Sequence, residues 1–407
     1  MFLTEPFVKK AIQLLLVFTF LALLCPTAFC LEKAANNSVL DLGNPVATFE
    51  GGKLYKAGSL NVIELHGSYR EMGRQYGALM KKELNEIYNQ MNGDFGKIEG
   101  ITYYSMLKKG RMLFEYYPQK YKEIVFGISE TSGLGLDKQL IVNAKEYYIP
   151  VAPLAHQCSG VAAWGNYTSG GPLVFGRNYD FGPALAEYVT VAVYNPEDGS
   201  LPTASITYAG SIYVTSGMNK KGLFLELNNG GISETAQYTN RVPAPVSLFA
   251  FLESAADLKQ LNAEFHSTLP DYAYIINVAD PEKAYSYEWA TFDVRRRSPD
   301  EDGLLVATNH FVDPSWGLEE PVMGAFDPAN TSERRTNLLA LAEKYKGNFS
   351  SQTMMEVMSL PLEKSGAFRA PHDTSYQIVA VPQDLKVWVR IPEVSDWTEV
   401  DLKPLFL

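Results

Sequence analysis

The chain has 407 residues, of which 46% are hydrophobic and 12% aromatic. This composition can bury a sizeable core and excludes an intrinsically disordered protein, while the length fits one large domain or two ordinary ones. The formal net charge of −11 argues against nucleic acid and anionic membrane surfaces as partners, because no basic patch would release counterions there.

The first 30 residues have the layout of a secretory signal peptide. Lys9 and Lys10 precede an uncharged stretch rich in Leu and Phe, which ends at small residues around positions 26–28. A retained membrane anchor is the alternative, because residues 11–30 approach the roughly 20 residues that a spanning helix needs. Removal of residues 1–30 predicts a secreted, periplasmic or lumenal protein without a stable membrane span.

The cysteine count singles out one thiol. Cys25 and Cys30 lie within the signal-like stretch, so its removal would leave Cys158 alone and without an intramolecular disulfide partner. Such a thiol is either a buried small hydrophobe or a reactive group, and composition alone favours burial.

Motifs of several familiar enzyme classes are absent from the sequence. It has no HExxH, CxxC, GxSxG elbow, GxxxxGK[ST] loop or GxGxxG. The five histidines are scattered without the spacing of metal ligands; they are His66, His156, His266, His310 and His372. We therefore expect no metal and no cofactor.

The residues before Cys158 predict a short strand followed by helices that continue toward Val142. After the strand that begins at Val62, Ser68 and Glu71 have capping-box spacing. A stripe of apolar residues recurs every three or four positions and predicts a helix facing the core: Tyr69, Met72, Tyr76, Met80, Leu84, Ile87 and Met91. Glycines are costly in a helix, so those on or beside it predict close packing against another backbone: Gly67, Gly73 and Gly77.

After Cys158 the pattern changes to strands. Residues 159–165 and 173–181 predict a hairpin, and strand-like runs continue to residue 392. Helical periods interrupt them at residues 244–265, 335–345 and 353–360. Many antiparallel strands covered by separate groups of helices predict an α+β layered sandwich. Cys158 would then stand at the start of the first strand of a large sheet.

A cysteine nucleophile needs a base, and no histidine is obviously provided for Cys158. Cleavage of the chain before Cys158 would place an α-amine on the same residue. The pKa of such an amine is ordinarily about 8, so its neutral form can take the thiol proton at neutral pH. One residue would then be both nucleophile and base.

The stretch CSGVAAWGNYTSGGPLVFGRNYDF resembles the opening of the N-terminal-nucleophile (Ntn) hydrolases that act on linear amides. These include choloylglycine hydrolase, penicillin V acylase, isopenicillin N acyltransferase and acid ceramidase. The resemblance extends over most of the chain after the signal-like residues. It implies a four-layer αββα sandwich with antiparallel sheets and makes Cys158 the nucleophile.

The GRNxD pattern of that family falls on Arg177 and Asp180. Asp180 can bind or orient the new α-amine, and Arg177 can favour the thiolate by its positive charge. The two residues would face opposite sides of a regular strand, so the pattern requires a bulge or a strand end near Tyr179. An ordinary hairpin end is the alternative interpretation.

Three downstream segments add candidate residues by resemblance. GMNKKGLFLELNNGG is similar to the family's GxNxKGL strand, which implies an oxyanion-hole amide at Asn229, with Asn228 as the neighbouring candidate for substrate contact. LVATNHF resembles the family's TN strand and implies a polar contact at Asn309. ANTSERRTNLL resembles an arginine-bearing segment before a helix and implies Arg334. Each residue could instead be a turn or cap residue.

Residues 31–157 precede the cysteine, whereas bile-salt hydrolases place it at or near the start. The HGSYREMGRQYG helix resembles the acyltransferase and acid-ceramidase branches. This implies an autocatalytic cut between Gln157 and Cys158, with the mostly helical segment 31–157 retained beside a chain of residues 158–407. The product is an α/β heterodimer, and further homo-oligomerisation is left open.

The residues and the resemblance together predict an amidohydrolase. It would cleave a small-molecule N-acyl amide through a Cys158 acyl-enzyme and pass the acyl group to water. Acyl transfer to an amine is the alternative within the fold, and a catalytically inactive binding protein is the alternative from another class. Bile salt, penicillin, lipid amide and acyl-homoserine lactone all remain open as substrates.

Overall fold

The structure is a computed structural model that describes residues 42–94, 101–147, 157–299, 301–321, 327, 330–369 and 373–407. The signal-like residues 1–30, part of segment 31–157, His156 and His372 lie outside these ranges. No helix in the described ranges combines the length and the apolar character that a bilayer span requires.

Alternating and β-branched runs form the strands of two sheets. The strands are β1 (Ala47–Phe49), β2 (Gly52–Ala57), β3 (Leu60–Gly67), β4 (Ser159–Ala163), β5 (Val174–Asp180), β6 (Val189–Pro196), β7 (Thr203–Tyr208), β8 (Ser216–Asn219), β9 (Phe224–Asn229), β10 (Tyr274–Ala279), β11 (Ala284–Trp289), β12 (Val294–Arg297), β13 (Leu304–Ala307), β14 (Thr374–Val381), β15 (Lys386–Ile391) and β16 (Ser395–Asp401). The larger sheet has the order β1-β2-β3-β6-β7-β8-β9-β10-β11-β12, and the smaller has the order β13-β4-β5-β14-β15-β16.

The pairing is antiparallel throughout the described sheets except at one place. Strand β3 runs parallel to β6, with Asn61 opposite Thr190. Segment 31–157, predicted as mostly helical, thus also supplies β1, β2 and β3 to the larger sheet. The predicted hairpin before Asp180 is confirmed, because β4 and β5 pair antiparallel from Ser159 and Asn178.

Helices cover the outer faces of both sheets. They are α1 (Tyr69–Leu79), α2 (Lys81–Asp94), α3 (Tyr103–Glu115), α4 (Gln119–Thr131), α5 (Gly135–Asn143), α6 (Ala244–Ser254), α7 (Leu258–Ser267), α8 (Thr331–Lys344) and α9 (Ser351–Ser359). Helix α1 packs on β2 and β3, and α6 packs on β7 and β8. Helix α8 packs on β4 and β13, and α9 on β5 and β14. The predicted α+β, four-layer αββα sandwich is confirmed.

Two predicted helices are each divided in the structure. The capping box of Ser68 and Glu71 begins α1 as predicted, and every residue of the apolar stripe is buried. However, α1 ends with Met80 as its C-cap before α2 starts. The predicted helix over residues 244–265 is interrupted at Ala255, because the Asp257 side chain accepts the Gln260 N–H (2.8 Å) and starts α7.

The backbones of helices α1 and α4 approach each other closely where they cross. This is the close packing that the glycines on α1 led us to expect. A Cβ atom on Gly73 would lie 2.2 Å from the backbone oxygen of Ile124. On the opposing helix, a Cβ on Gly127 would lie 2.3 Å from the backbone oxygen of Arg70. The absence of side chains at these two positions therefore sets the spacing of the helix pair.

We predict that Gly73→Ala destabilises the protein, because the new methyl group meets a backbone atom that cannot move alone. Overpacking of this kind costs about 1–3 kcal/mol, which thermal unfolding would detect as a lower Tm. Gly93→Ala in α2 is the matched control, since a Cβ there meets nothing within 4 Å and alanine is the better helix former. Equal Tm values for the two variants would contradict the prediction.

Candidate active site

Cys158 lies immediately before strand β4, and its side chain is only 2% exposed. The Gln157 N–H donates to the Asp180 carbonyl oxygen (3.0 Å), which extends the β4–β5 pairing past the cysteine. Strand β4 belongs to the smaller, six-stranded sheet, where it lies between β13 and β5. Cys158 is therefore held at the end of a strand that has a neighbour on each side.

Cys158 faces a cleft with about 910 Å³ of empty space, its open mouth included. The lining is rich in tyrosine and combines residues from both sides of the Gln157–Cys158 bond. Those before the bond are Lys109, Leu113, Glu146 and Tyr147. Those after it include Cys158, Tyr179, Asp180, Leu227, Asn229, Pro245 and Asp271. No histidine occurs among the described lining residues.

Arg177 provides the positive charge nearest to the thiol among the described contacts. Its Nη2 lies 3.6 Å from Cys158 Sγ, and its Nε lies 3.1 Å from Glu226 Oε2. Both charged side chains of this ion pair are fully buried. Nη1 donates to the Thr215 carbonyl oxygen and to Ser216 Oγ. The guanidinium is thus fixed by β8 and β9 of the larger sheet, while it faces Cys158 in its own sheet.

The Cys158 thiol is protonated at neutral pH in the continuous chain that the structure describes. Burial raises the pKa of the Cys158 thiol to about 11, although the Arg177 guanidinium acts in the opposite direction. Arg177 therefore lowers the thiol pKa, as its predicted role requires, but this effect alone does not produce a thiolate. A base is required to remove the proton.

Asp180 lies on the other face of β5, at the point where that strand ends. Its Oδ1 accepts from Thr374 Oγ1 (2.7 Å), and its Oδ2 lies 3.8 Å from Arg334 Nη1. The β5–β14 register shifts between Thr374 and Tyr376. The extra residue of this shift is Ser375 of β14, so β5 has no bulge at Tyr179. The strand end that the spacing of Arg177 and Asp180 allowed is present at Asp180.

The Asp180 carboxyl is strongly desolvated. Burial raises the pKa of Asp180 to about 6, with Arg334 acting in the opposite direction. The group is therefore mainly ionised at neutral pH and can hold a positive charge next to the cysteine backbone.

Arg334 and Asn309 form a chain of hydrogen bonds that ends at the cysteine. Arg334 Nη1 donates to the Cys158 carbonyl oxygen (2.8 Å), and its Nη2 donates to Asn309 Oδ1 (2.7 Å). Asn309 Nδ2 donates to the Asn229 carbonyl oxygen (2.9 Å). Asn309 is absent from the described lining of the cleft. Its geometry is that of a residue that positions Asn229 and Arg334.

The structure separates the two neighbouring asparagines of β9. Asn229 lines the cleft, and its Oδ1 accepts the Gly231 N–H (2.8 Å), which directs the Nδ2 end away from that turn. Asn228 is fully buried and is not among the described lining residues. Asn229 is thus the better placed of the two to contact a ligand beside Cys158.

Glu226 is a site residue that was not predicted from the sequence. Asn277 Nδ2 donates to its Oε1, and its Oε2 pairs with Arg177. Burial raises the pKa of Glu226, and Arg177 opposes this effect. The sequence does contain a sign of this residue, which is a single acidic residue within the apolar run FLEL. A charge in a strand that is buried on both faces needs a partner.

His310 follows Asn309 in sequence but lies outside the described lining of the cleft. Its Nδ1 is 2.9 Å from Thr331 Oγ1, and burial lowers the pKa of His310 to about 4. It is therefore neutral at neutral pH and packs behind the site. The described residues hold no group of three or more side chains that could ligate a metal ion.

Residues 167–369 match the family acyl-coenzyme A:6-aminopenicillanic acid acyl-transferase. The chain belongs to the Ntn superfamily of amidases and acyltransferases that act on linear amides. One solved structure with a similar backbone is an N-acylethanolamine-hydrolyzing acid amidase ortholog from Caenorhabditis elegans. It is 18% identical in sequence, and the superposition has a TM-score of 0.41 and covers 55% of this chain and 93% of that chain. Another is a conjugated bile acid hydrolase variant from Clostridium perfringens. It is 12% identical, with a TM-score of 0.44, and the superposition covers 61% of this chain and 93% of that chain.

Curated relatives include Protein dcd1A of Dictyostelium discoideum, 28% identical over 204 residues, which are 42% of this chain and 45% of that protein. An uncharacterized protein of Archaeoglobus fulgidus is 22% identical over 331 residues, or 70% of this chain and 53% of that protein. The chain thus spans about half the length or less of the curated relatives it matches.

We predict that Glu226→Gln lowers the free energy of unfolding by about 3–5 kcal/mol, because it leaves the Arg177 charge buried without a counter-ion. The double substitution Arg177→Met with Glu226→Leu should recover much of this loss, since both charges are removed together. Chemical denaturation in a Cys158→Ala background would compare chains of equal length. A Glu226→Gln variant within about 1 kcal/mol of its parent would show that the pair is not tightly coupled.

Proposed function

We propose that this protein is a self-processing cysteine amidase, which cleaves an N-acyl amide through an acyl-enzyme on Cys158. The observation that carries the proposal is the placement of Cys158 Sγ in the cleft, 3.6 Å from Arg177 Nη2, on a residue whose carbonyl oxygen is held by Arg334. The thiol has a raised pKa, and the described cleft lining offers no histidine as base. An α-amine on Cys158 itself supplies the missing base.

Maturation would begin with attack of the Cys158 thiol on the Gln157 carbonyl carbon. The new C–S bond replaces the Gln157–Cys158 C–N bond and gives a thioester. The α-amine does not exist before this step, so the departing nitrogen itself takes the thiol proton and becomes that amine. Water then opens the thioester, which returns the thiol and leaves Gln157 with a carboxylate. Asp180 lies close enough to share a backbone hydrogen bond with Gln157 (3.0 Å) and is suited to hold the new ammonium charge.

In the mature enzyme, the neutral α-amine would take the proton of the Cys158 thiol, and the thiolate would attack the acyl carbon of the substrate. The tetrahedral intermediate then collapses, the C–N bond breaks, and the proton passes from the α-ammonium to the leaving amine. Water attacks the resulting thioester and releases the carboxylic acid. Arg177 favours the thiolate in each cycle, because its guanidinium faces the sulfur.

The developing oxyanion would be stabilised by the side-chain amide of Asn229. That residue lines the cleft, and its backbone is fixed by Asn309, which in turn accepts from Arg334. A donor held in place before the reaction does not need to reorganise as charge develops. Asn309 and Arg334 act in this scheme by positioning Asn229 and Cys158.

Acyl transfer to an amine is the second candidate, because the matching family is described as an acyl-transferase. Both reactions pass through the same thioester and differ only in the acceptor. Turnover of a simple acyl amide with and without added primary amines would separate them: a new amide product that grows with amine concentration identifies transfer.

We also propose secretion after removal of residues 1–30, on the layout of that segment alone.

We predict that the wild-type protein is recovered as two fragments whose second begins at Cys158, whereas Cys158→Ala is recovered as one chain. The alanine variant lacks the thiol that attacks Gln157. Intact mass spectrometry and N-terminal sequencing would measure both. Ser159→Ala, which leaves the thiol in place, is the control and should still be cut. An active wild-type protein that stays uncut would refute the self-processing step.

We predict that Asn229→Ala lowers kcat by about 10²–10³, the loss expected for one oxyanion donor, with a smaller effect on KM. Asn228→Ala is the comparison, since that side chain is buried outside the described lining. Steady-state kinetics on an acyl amide would measure both variants, with circular dichroism to verify folding. A larger loss of kcat in a folded Asn228→Ala would reverse the assignment.

A further inference from the structure

The segment before Cys158 places two polar groups in the cleft that have unfilled hydrogen-bonding capacity. Glu146 and Tyr147 lie in the short helical turn Lys145–Tyr147, and both line the cleft with Cys158. The Oε1 atom of Glu146 and the hydroxyl of Tyr147 are both buried, and neither has a hydrogen-bond partner among the described residues. A buried polar atom without a partner is costly, so these two atoms need an explanation.

The other atoms of this turn are fully engaged. Glu146 Oε2 accepts from the Tyr179 hydroxyl (2.8 Å), and the Tyr179 ring lies under the Arg177 guanidinium at 4.7 Å. Lys145 Nζ donates to the carbonyl oxygens of Val142 (3.2 Å) and Ala209 (3.1 Å) and to Ser211 Oγ (2.6 Å). The Glu146 carboxylate is therefore anchored through Oε2, with the Tyr213 hydroxyl also beside it. Its Oε1 makes no hydrogen bond of good geometry with the described residues and can accept one from a ligand.

The chemistry of Glu146 Oε1 and the Tyr147 hydroxyl indicates which kind of ligand group they would bind. An ionised carboxylate only accepts hydrogen bonds, and a tyrosine hydroxyl can donate as well as accept. Burial raises the pKa of Glu146, with Lys145 and the hydroxyls of Tyr179 and Tyr213 acting in the opposite direction. A ligand that donates to Oε1 stabilises the ionised form and so relieves part of the cost of burying this charge.

We propose that Glu146 and Tyr147 form a polar subsite that binds a hydrogen-bond-donating group, a hydroxyl or an ammonium, on the substrate. The proposal rests on the proposed amidase function and adds the chemical class of the substrate. Leu113, Leu227 and Pro245 give the same cleft an apolar wall. The substrate is thus an N-acyl amide with an apolar portion and one donor group, and the subsite is contributed from the other side of the cut bond.

The first test compares matched acyl amides that differ at one terminal group. One series carries hydroxyl, amino or methyl at the end of the amine part, and a second series carries the same three groups at the end of the acyl part. We expect kcat/KM to favour a donor over methyl by about tenfold or more in one series, as for a hydrogen bond to a charged group. Preference for hydroxyl or for amino distinguishes the two donor types.

Glu146→Leu should abolish this preference, and Glu146→Gln should reduce it, because the amide keeps an acceptor oxygen but loses the charge. Glu64→Gln is the matched control: Glu64 is also a buried carboxylate before Cys158, but it accepts from Lys53 (3.0 Å) and Tyr55 (3.1 Å) and is absent from the described lining. It should keep the full preference. The proposal is overturned if wild type shows no donor preference, or if Glu146→Leu retains it.

A second measurement separates failure of the subsite from failure of the amidase function. The uncut chain already contains the cleft, so Cys158→Ala can be tested for binding alone by the rise in its Tm with each amide. We expect a larger rise with the donor-bearing amide than with its methyl analogue, and no difference after Glu146→Leu is added. Equal rises for both amides would reject the subsite whether or not wild type turns over any amide.

Discussion

The buried ion pair of Arg177 and Glu226 connects the two sheets at the site. Arg177 comes from β5 of the smaller sheet, whereas Glu226 comes from β9 of the larger one. With both charges removed from water, neither can shift without losing its counter-ion. The distance between the guanidinium and Cys158 Sγ therefore depends on how the sheets pack. Gly160, opposite Arg177 in β4, makes room for this pair, because a Cβ there would lie 2.2 Å from Glu226 Oε1.

Most of the fold was predictable because its elements depend on neighbours in sequence. The capping box at Ser68, the buried stripe that follows it and the hairpin before Asp180 are examples. The helix breaks at Met80 and Ala255 were not predicted, since apolar periodicity continues through both. The parallel pairing of β3 with β6 joins segments separated by more than a hundred positions, and local patterns carry no signal for it.

The candidate site was predictable where a motif fixed residue order. The structure brings together around one strand end the residues assigned by resemblance: Cys158, Arg177, Asp180, Asn229, Asn309 and Arg334. Two acidic residues escaped prediction for different physical reasons. Glu226 is recognisable only with its partner on the facing sheet. Glu146 stands out only because its Oε1 is buried beside the cleft without a hydrogen bond of good geometry, and that is a property of the packed chain.

The pairing of β3 with β6 has a consequence for the edge of the larger sheet. Strands β1, β2 and β3 cover the flank of β6, whose residues from Val189 to Asn195 are all buried. Residues 158–407 produced alone would expose that flank as an apolar edge with unpaired N–H and C=O groups. Such an edge is a template for strand addition and aggregation. The early segment thus covers a sheet edge that would otherwise be open to strand addition, quite apart from any chemistry at Cys158.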